Sequence, residues 1–297
     1  MFYDYRMRNI AGGKTIGFQR RFNGNVIVAI LGKQTRSKQQ RQKEGRAKPK
    51  HQNRVNKGMG QAQRKPTKTK IARFTEVCKS PGNDILLCLF LRMQNIKNII
   101  FDLGGVILNI DFKKTEEAFL ELGLDNFSDH ISQFHISDFF EQYETGKIDD
   151  LEFVNGISKL IGKTTEQEKI IAAWNALLLD FPPERIELLK RIKSDYRTFL
   201  LSNTNSLHYI EYQRRLFDRD GLYLEDLFEK TYYSHAVQLR KPGADIFNLV
   251  LRENKLVASE TLFIDDTASN FEEAQKLGIQ THHLVPGSSI TEIDLFK

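Results

Sequence analysis

The chain has 297 residues and a formal net charge of +6, but that sum hides a split. Residues 1–92 hold 22 Lys and Arg against 4 Asp and Glu, a net of +18, while the remainder holds 22 against 34, a net of −12, so a basic segment precedes an acidic one. The longest apolar run, Ile85–Leu91, falls far short of the roughly 20 residues a membrane-spanning helix needs, and both cysteines, Cys78 and Cys88, lie in the basic segment, which excludes a disulfide framework for the rest and fits a reducing cytoplasm.

Arg36 to Lys70 is rich in Lys, Arg, Gln, Asn and Gly and nearly devoid of large apolar side chains. Such a stretch cannot bury enough surface to offset its ordering entropy and is expected to be disordered. It either binds nucleic acid by neutralising phosphates or has no function. The lack of an aromatic platform or a recognisable reading fold favours the second. Met93-Gln94-Asn95-Ile96-Lys97 leads straight into an apolar strand, so Met93 is the expected initiator and residues 1–92 an upstream extension.

From there the elements alternate. Asn98 to Phe101 is a short apolar run that reads as a fully buried parallel strand. Similar runs recur at Thr198–Leu201, Thr231–Tyr233, Thr261–Ile264 and Thr281–Val285. Helical patterns at Pro183–Lys193, Asp245–Leu251 and Asn270–Leu277 lie between them, the last closed by Gly278. Alternation of this kind predicts an α/β fold, a Rossmann-like doubly wound parallel sheet with right-handed crossovers. Phe112 to Asp180 breaks the alternation. It offers helices at Ser132–Glu144 and Asp150–Ile161 around a Thr145-Gly146-Lys147 turn, which predicts a helical insertion of a size to cover the sheet edge.

Ligands of such sheets bind beyond the carboxyl ends of the strands, and polar signals follow four of the runs. Asp102 ends the first, Ser202 and Asn203 end the second, Lys241-Pro242 follows the third, and Asp265-Asp266 ends the fourth. Singly, each has an ordinary reading as a helix cap, a turn or a solvated loop. In order on successive strand ends they make chemical sense together. Carboxylates gathered at one edge repel unless a hard cation sits among them, and Mg²⁺ prefers such oxygen ligands. Asp102 could then attack phosphorus, with Lys241, the Ser202 hydroxyl and backbone N–H groups at Asn203 holding phosphoryl oxygens.

Phe-Asp-Leu-Gly-Gly-Val-Ile-Leu, Leu-Ser-Asn-Thr-Asn, Leu-Arg-Lys-Pro and Phe-Ile-Asp-Asp resemble, in order, the four motifs of the haloacid dehalogenase-like superfamily. Within it they are similar to the bacterial α-D-glucose-1-phosphate phosphatase group. The resemblance implies a core of residues 93–111 and 182–297, a helical cap over about 112–181, and a Mg²⁺-dependent phosphatase acting on a small phosphorylated metabolite such as a sugar phosphate. It implies Asp102 as nucleophile and Mg²⁺ ligand, the Gly104 carbonyl, Asp265 and Asp266 as further ligands, Ser202 and Asn203 as phosphate binders, and Lys241 as a bridge between Asp102 and phosphate. Asn270 would support this set.

One position departs from the common pattern, which has a second Asp two residues after the nucleophile as acid and base. Here it is Gly104. The glucose-1-phosphatase-like group shares this glycine, so the departure does not imply inactivity, but it leaves the proton donor open. Asp111, His135, Asp138 and His208 are candidates, each with an ordinary reading as surface residue or cap. A phosphosugar mutase is the alternative within the enzyme class, disfavoured by the missing acid. Dehalogenation would not need the acidic pair. A basic-tailed nucleic-acid-binding protein with a vestigial enzyme core is the alternative outside it. In the insertion, Phe139, Phe140, Tyr143 and Trp174 could line a pocket or form packing core. Glu144, Gly146 and Lys147 could reach down to the site.

Overall fold

A computed structural model describes residues 16–22, 25–31, 95–125, 127 and 136–297. The chain falls into two units, Met1–Thr75 and Glu76–Lys297. In the first, β1 (Ile16–Phe22) and β2 (Asn25–Leu31) pair antiparallel, from Ile16 opposite Leu31 to Phe22 opposite Asn25. The stretch Arg36 to Lys70 lies outside the described residues, as does His135.

The second unit is built on β3 (Asn98–Phe101), β4 (Arg197–Ser202), β5 (Lys230–Tyr233), β6 (Thr261–Asp265) and β7 (Gln280–His283). They form one parallel sheet in the order β5-β4-β3-β6-β7. Because side chains alternate across a strand, the central runs feed two cores at once. Ile99, Phe101, Leu200, Leu262 and Ile264 pack on one face and Ile100, Phe199, Leu201 and Phe263 on the other. This is why the runs are apolar throughout rather than alternating.

Helices cover both faces. On the first lie α5 (Pro183–Ile192), entered through Pro182-Pro183, and α6 (Ser206–Asp220), whose Asn205 side chain caps the His208 N–H. Ile186, Leu189 and Ile192 of α5 and Tyr212 and Leu216 of α6 join that core. On the second lie α8 (Ala244–Asn254) and α9 (Phe271–Lys276), through Ile246, Phe247, Val250, Phe271 and Ala274. A short α7 (Ser234–Val237) follows β5 directly. Each fully buried aliphatic or aromatic side chain contributes about 1.5–3 kcal/mol.

Between β3 and α5 comes the helical insertion. It comprises α1 (Phe112–Glu121), α2 (Ile136–Glu144), α3 (Asp150–Ile161) and α4 (Gln167–Asn175), with no strand among its described residues. Asp149 and Glu152 form a reciprocal capping box at the start of α3, and Gly162 ends it. The insertion has its own core, centred on Phe119, Phe153, Ile157 and Trp174. Its two connections to the sheet run antiparallel and are hydrogen-bonded to each other. The Asn109 N–H donates to the Asp180 carbonyl and the Leu179 N–H to that of Asn109, at 2.9 and 3.0 Å.

Two joints hold the insertion against the sheet unit. The Trp174 indole N–H donates to Asn205 Oδ1 at 3.2 Å and its ring stacks on His208 at 4.7 Å. The Tyr143 hydroxyl donates to Asp150 at 2.8 Å and accepts from the Leu207 N–H at 3.3 Å, while Ser206 also hydrogen-bonds Asp150.

Candidate active site

Parallel register decides which residues meet at the carboxyl edge. Phe101 stands opposite Ile264 and Leu200, so the next residue, Asp102, emerges beside Asp265, with its N–H donating to the Ile264 carbonyl at 2.9 Å. Lys241 enters from the loop after α7. Its ammonium lies 2.8 Å from Asp102 Oδ1 and 2.6 Å from Asp265 Oδ2, with the side chain 1% exposed. A reciprocal pair fixes that loop: Asn203 Nδ2 donates to the Lys241 carbonyl and the Lys241 N–H donates to Asn203 Oδ1, both at 2.9 Å.

Asp265 is held from every side. Besides Lys241, it accepts from the Thr267 N–H at 2.8 Å and from Asn270 Nδ2 at 3.0 and 3.1 Å. Asp266 is half-buried and its carboxylate lies against Gly105. That glycine has φ +70°, and a Cβ there would stand 2.1 Å from Asp266 Oδ2. Only glycine tolerates both the backbone angle and the approach.

Oxygen atoms of Asp102, Asp265 and Asp266 all lie within 4.8 Å of one another. One lysine faces three carboxylates, so the site is short of positive charge. The effect shows on Asp102, where burial pushes the carboxyl up to about 7, Asp265 adding to the rise and Lys241 opposing it. Burial also works against the Lys241 charge, but Asp102 and Asp265 outweigh it and lift the ammonium above the ordinary lysine value. Asp266 is raised by burial and by Asp265. A buried, hard-oxygen donor set with surplus negative charge fits a divalent cation such as Mg²⁺.

Above the edge lies a cavity of about 280 Å³. Gly104, Ser202, Asn203 and Thr204 form its floor, and Phe140, Glu144 and Trp174 come to it from the insertion. All the strand-end residues singled out from the sequence thus converge on one place. The aromatic residues of the insertion divide. Tyr143 stacks on Phe153 at 4.0 Å and Phe139 on the same ring at 5.5 Å, as packing core, whereas Phe140 and Trp174 both pack and line the cavity.

The proposed proton donors fare poorly. Asp111 is the N-cap of α1, accepting from the Lys113 N–H at 3.0 Å. Asp138 is exposed in the first turn of α2. His208 lines the cavity but is buried, which holds its pKa down at about 4. Its Nε2 lies 3.1 Å from the Trp174 carbonyl and its Nδ1 3.0 Å from Asn205 Nδ2.

The turn after α2 makes a close approach of its own. Gly146 has φ +65°, and a Cβ there would stand 2.3 Å from the His235 carbonyl oxygen of α7. It seats Glu144 at the cavity, where Arg240 meets it at 3.2 Å. Nothing in the sequence marked Arg240 beyond its place before Lys241, nor Gly105 beyond its place in a Gly-Gly pair.

The chain is similar to known proteins. A D-ribitol-5-phosphate phosphatase of Bacteroides thetaiotaomicron is 32% identical over 186 residues, 63% of this chain and 90% of the relative. A sesquiterpene phosphatase of Aspergillus oryzae is 25% identical over 190 residues, 63% and 89% of the two chains. A crystal structure of a haloacid dehalogenase-family enzyme from Bacteroides thetaiotaomicron, in complex with magnesium and inorganic phosphate, superposes with a TM-score of 0.62 at 36% identity, covering 66% of this chain and 98% of that one. The haloacid dehalogenase-like hydrolase profile matches residues 96–278, from the strand that carries Asp102 to the glycine that closes α9, and the chain belongs to that family.

Proposed function

We propose that the protein is a Mg²⁺-dependent phosphatase that hydrolyses a small phosphorylated metabolite through an aspartyl-phosphate on Asp102. The observation that carries this reading is the Lys241 ammonium set between Asp102 and Asp265, with Asp266 completing a three-carboxylate cluster at the carboxyl edge of the sheet. Asp102, the Gly104 carbonyl, Asp265 and Asp266 would hold the cation. When bound, it supplies charge neutralisation for the phosphoryl oxygens and keeps Asp102 ionised.

The chain's own groups do the rest. Asp102 attacks phosphorus in line and the P–O bond to the leaving group breaks opposite to it. Lys241 neutralises charge on the phosphoryl group, and the Ser202 hydroxyl and the backbone at Asn203 orient it. Water then attacks the aspartyl-phosphate, releases inorganic phosphate and restores Asp102. Asn203 holds the lysine loop as well as the cavity floor, so it acts on both partners of the reaction.

A cavity of about 280 Å³ admits a metabolite of sugar size. The relative named for D-ribitol 5-phosphate supports a polyol or sugar phosphate, and the resemblance to α-D-glucose-1-phosphate phosphatases adds hexose 1-phosphates. The apolar wall of Leu103, Ile110, Phe112 and Trp174 favours a second reading, an ester whose leaving group is itself apolar, in line with the sesquiterpene phosphatase relative. Phosphate release from pentitol, hexose and prenyl monophosphates, with and without Mg²⁺, tests both. Release that needs Mg²⁺ and is lost in Asp102→Asn is expected, and the ester turned over with the highest kcat/KM names the class. Release that survives Asp102→Asn would overturn the mechanism.

A further inference from the structure

Expelling an alkoxide from phosphorus requires a proton at the leaving oxygen, and the loop that carries Asp102 offers none. Two residues on is Gly104, and a Cβ there would already stand 3.1 Å from Ile110 Cδ1, so the space where an acid could stand is filled by an apolar side chain. In-line displacement places the leaving oxygen on the side opposite the nucleophile, away from the sheet edge and toward the insertion. The donor must therefore come from above.

Resting on the phosphatase reading, we infer that Glu144 of the helical insertion is the general acid of the reaction, handing its proton to the leaving oxygen at the cavity it shares with Gly104. Four described residues lining that cavity carry an ionisable side chain: Glu116, Glu144, His208 and Tyr212. His208 is buried neutral against Trp174. Tyr212 is a phenol, and it is buried to 1% exposure. Glu116 is exposed on the outer wall. Glu144 alone is a carboxyl that is partly buried, its side chain 28% exposed.

Its setting suits the task. It is the last residue of α2, where the carbonyl end of the helix disfavours a carboxylate. Burial raises its pKa above the ordinary value, with Glu141 adding to the rise and Arg240 and Lys241 opposing it. The charged or titratable groups around it are Arg240 at 3.2 Å, Glu141 on the same helix, Lys241 below, and Glu116 and His208 across the cavity. The charge of Lys241, the group that grips Asp102, also acts on it. The Gly146 turn on the His235 carbonyl fixes how far it descends.

The protons balance. Glu144 as carboxylic acid gives its proton to the departing oxygen as the P–O bond breaks, and an alcohol leaves. The resulting carboxylate takes a proton from the water that attacks the aspartyl-phosphate, which regenerates the acid and yields inorganic phosphate.

The test uses the full chain with Mg²⁺ and two esters of different leaving group: D-ribitol 5-phosphate, whose alkoxide needs the proton, and p-nitrophenyl phosphate, whose phenolate does not. Glu144→Gln is expected to lower the ribitol phosphate rate on the order of 10²–10⁴-fold and to abolish the alkaline fall of kcat/KM. The pre-steady-state burst of p-nitrophenol should stay within about threefold of wild type. Glu144→Asp should recover part of the ribitol phosphate rate, and its circular dichroism guards against a folding defect. A p-nitrophenol burst slowed as much as ribitol phosphate turnover, or a rise in KM with unchanged kcat, would overturn the inference and leave the phosphatase reading standing. Failure of the wild type to hydrolyse either ester would overturn that reading and the inference with it.

Discussion

Asp102 is buried beside Asp265 with one lysine between them, and its carboxyl is pushed up to about 7. A cation that binds there must displace the proton. Its apparent affinity should therefore rise about tenfold per pH unit up to roughly pH 7 and level off above it. The sign for stability is the opposite. The folded pKa lies above the ordinary aspartate value of 3.8, so the native state holds more protons than the unfolded chain between the two values. The metal-free protein then loses stability as pH rises through that window, and Mg²⁺ restores it. Calorimetric titration at pH 5.5, 6.5 and 7.5 checks the first, and Tm with and without Mg²⁺ the second. A pH-independent affinity would mean Asp102 is ionised without the cation. Gly105 gives a separate handle, since Gly105→Ala forces a Cβ into Asp266 Oδ2 at a positive φ. It should cost about 1–3 kcal/mol of stability and weaken Mg²⁺ at least tenfold, which denaturant unfolding and the same calorimetry would show. Asp102, Asp265 and Asp266 were legible in the sequence because they end or directly follow runs that read as buried strands, and Lys241 because it lies in the crossover after the third such run. For Glu144 the sequence offered only a turn that could reach down to the site and no role as an acid, because the partial burial and the Arg240 contact that distinguish it are set by tertiary docking and not by local pattern.

At the level of elements, the apolar runs gave the sheet, and the helices that bury aliphatic stripes, such as Ile186, Leu189 and Ile192 of α5, were equally plain. Those that escaped have unusual faces. Helix α6 buries His208, Tyr209, Tyr212 and Gln213, a polar and aromatic stripe that hydrophobic periodicity does not register. Helix α1 buries only Thr115 and Phe119 among charged neighbours. Strand β7, Gln280–His283, is a partly exposed edge and ends two residues earlier than its apolar tail suggested. The hairpin of β1 and β2 had a signal in Asn23-Gly24 between two alternating runs, overshadowed by the basic composition around it. If Glu144 is the proton donor inferred above, the turn after α2 positions it. Gly146→Ala would drive a Cβ to 2.3 Å from the His235 carbonyl and lift the turn from α7. The expected result is a fall in kcat/KM of about tenfold to 10²-fold with a loss of about 1–2 kcal/mol of stability, measured by steady-state kinetics and denaturant titration on the same preparation. Unchanged kinetics would show that the turn does not position Glu144.

For the molecule as a whole, the two ends of the chain differ in charge by design of composition: +18 over residues 1–92 and −12 over the rest. Every group assigned a part in the reaction lies between Asp102 and Asp266, and the family match opens at residue 96. The first strand of the parallel sheet begins at Asn98 and is central in it, flanked by β4 and β6, so a catalytic unit cannot begin later than that strand. Among the described residues, the two sheet cores and the core of the insertion draw on residues from Ile96 onward. A chain of residues 93–297 should therefore fold and keep kcat and KM within about twofold of the full chain. Its isoelectric point should drop from about 9.1 to the acidic side, and any retention of the full chain on nucleic acid should disappear with the basic segment. Activity of the two forms on one phosphate ester, beside a salt-gradient elution from immobilised DNA, separates the contributions. If residues 93–297 are folded but turn over the ester tenfold more slowly, the basic segment serves the enzyme; if only DNA retention is lost, its 22 cations act apart from the chemistry.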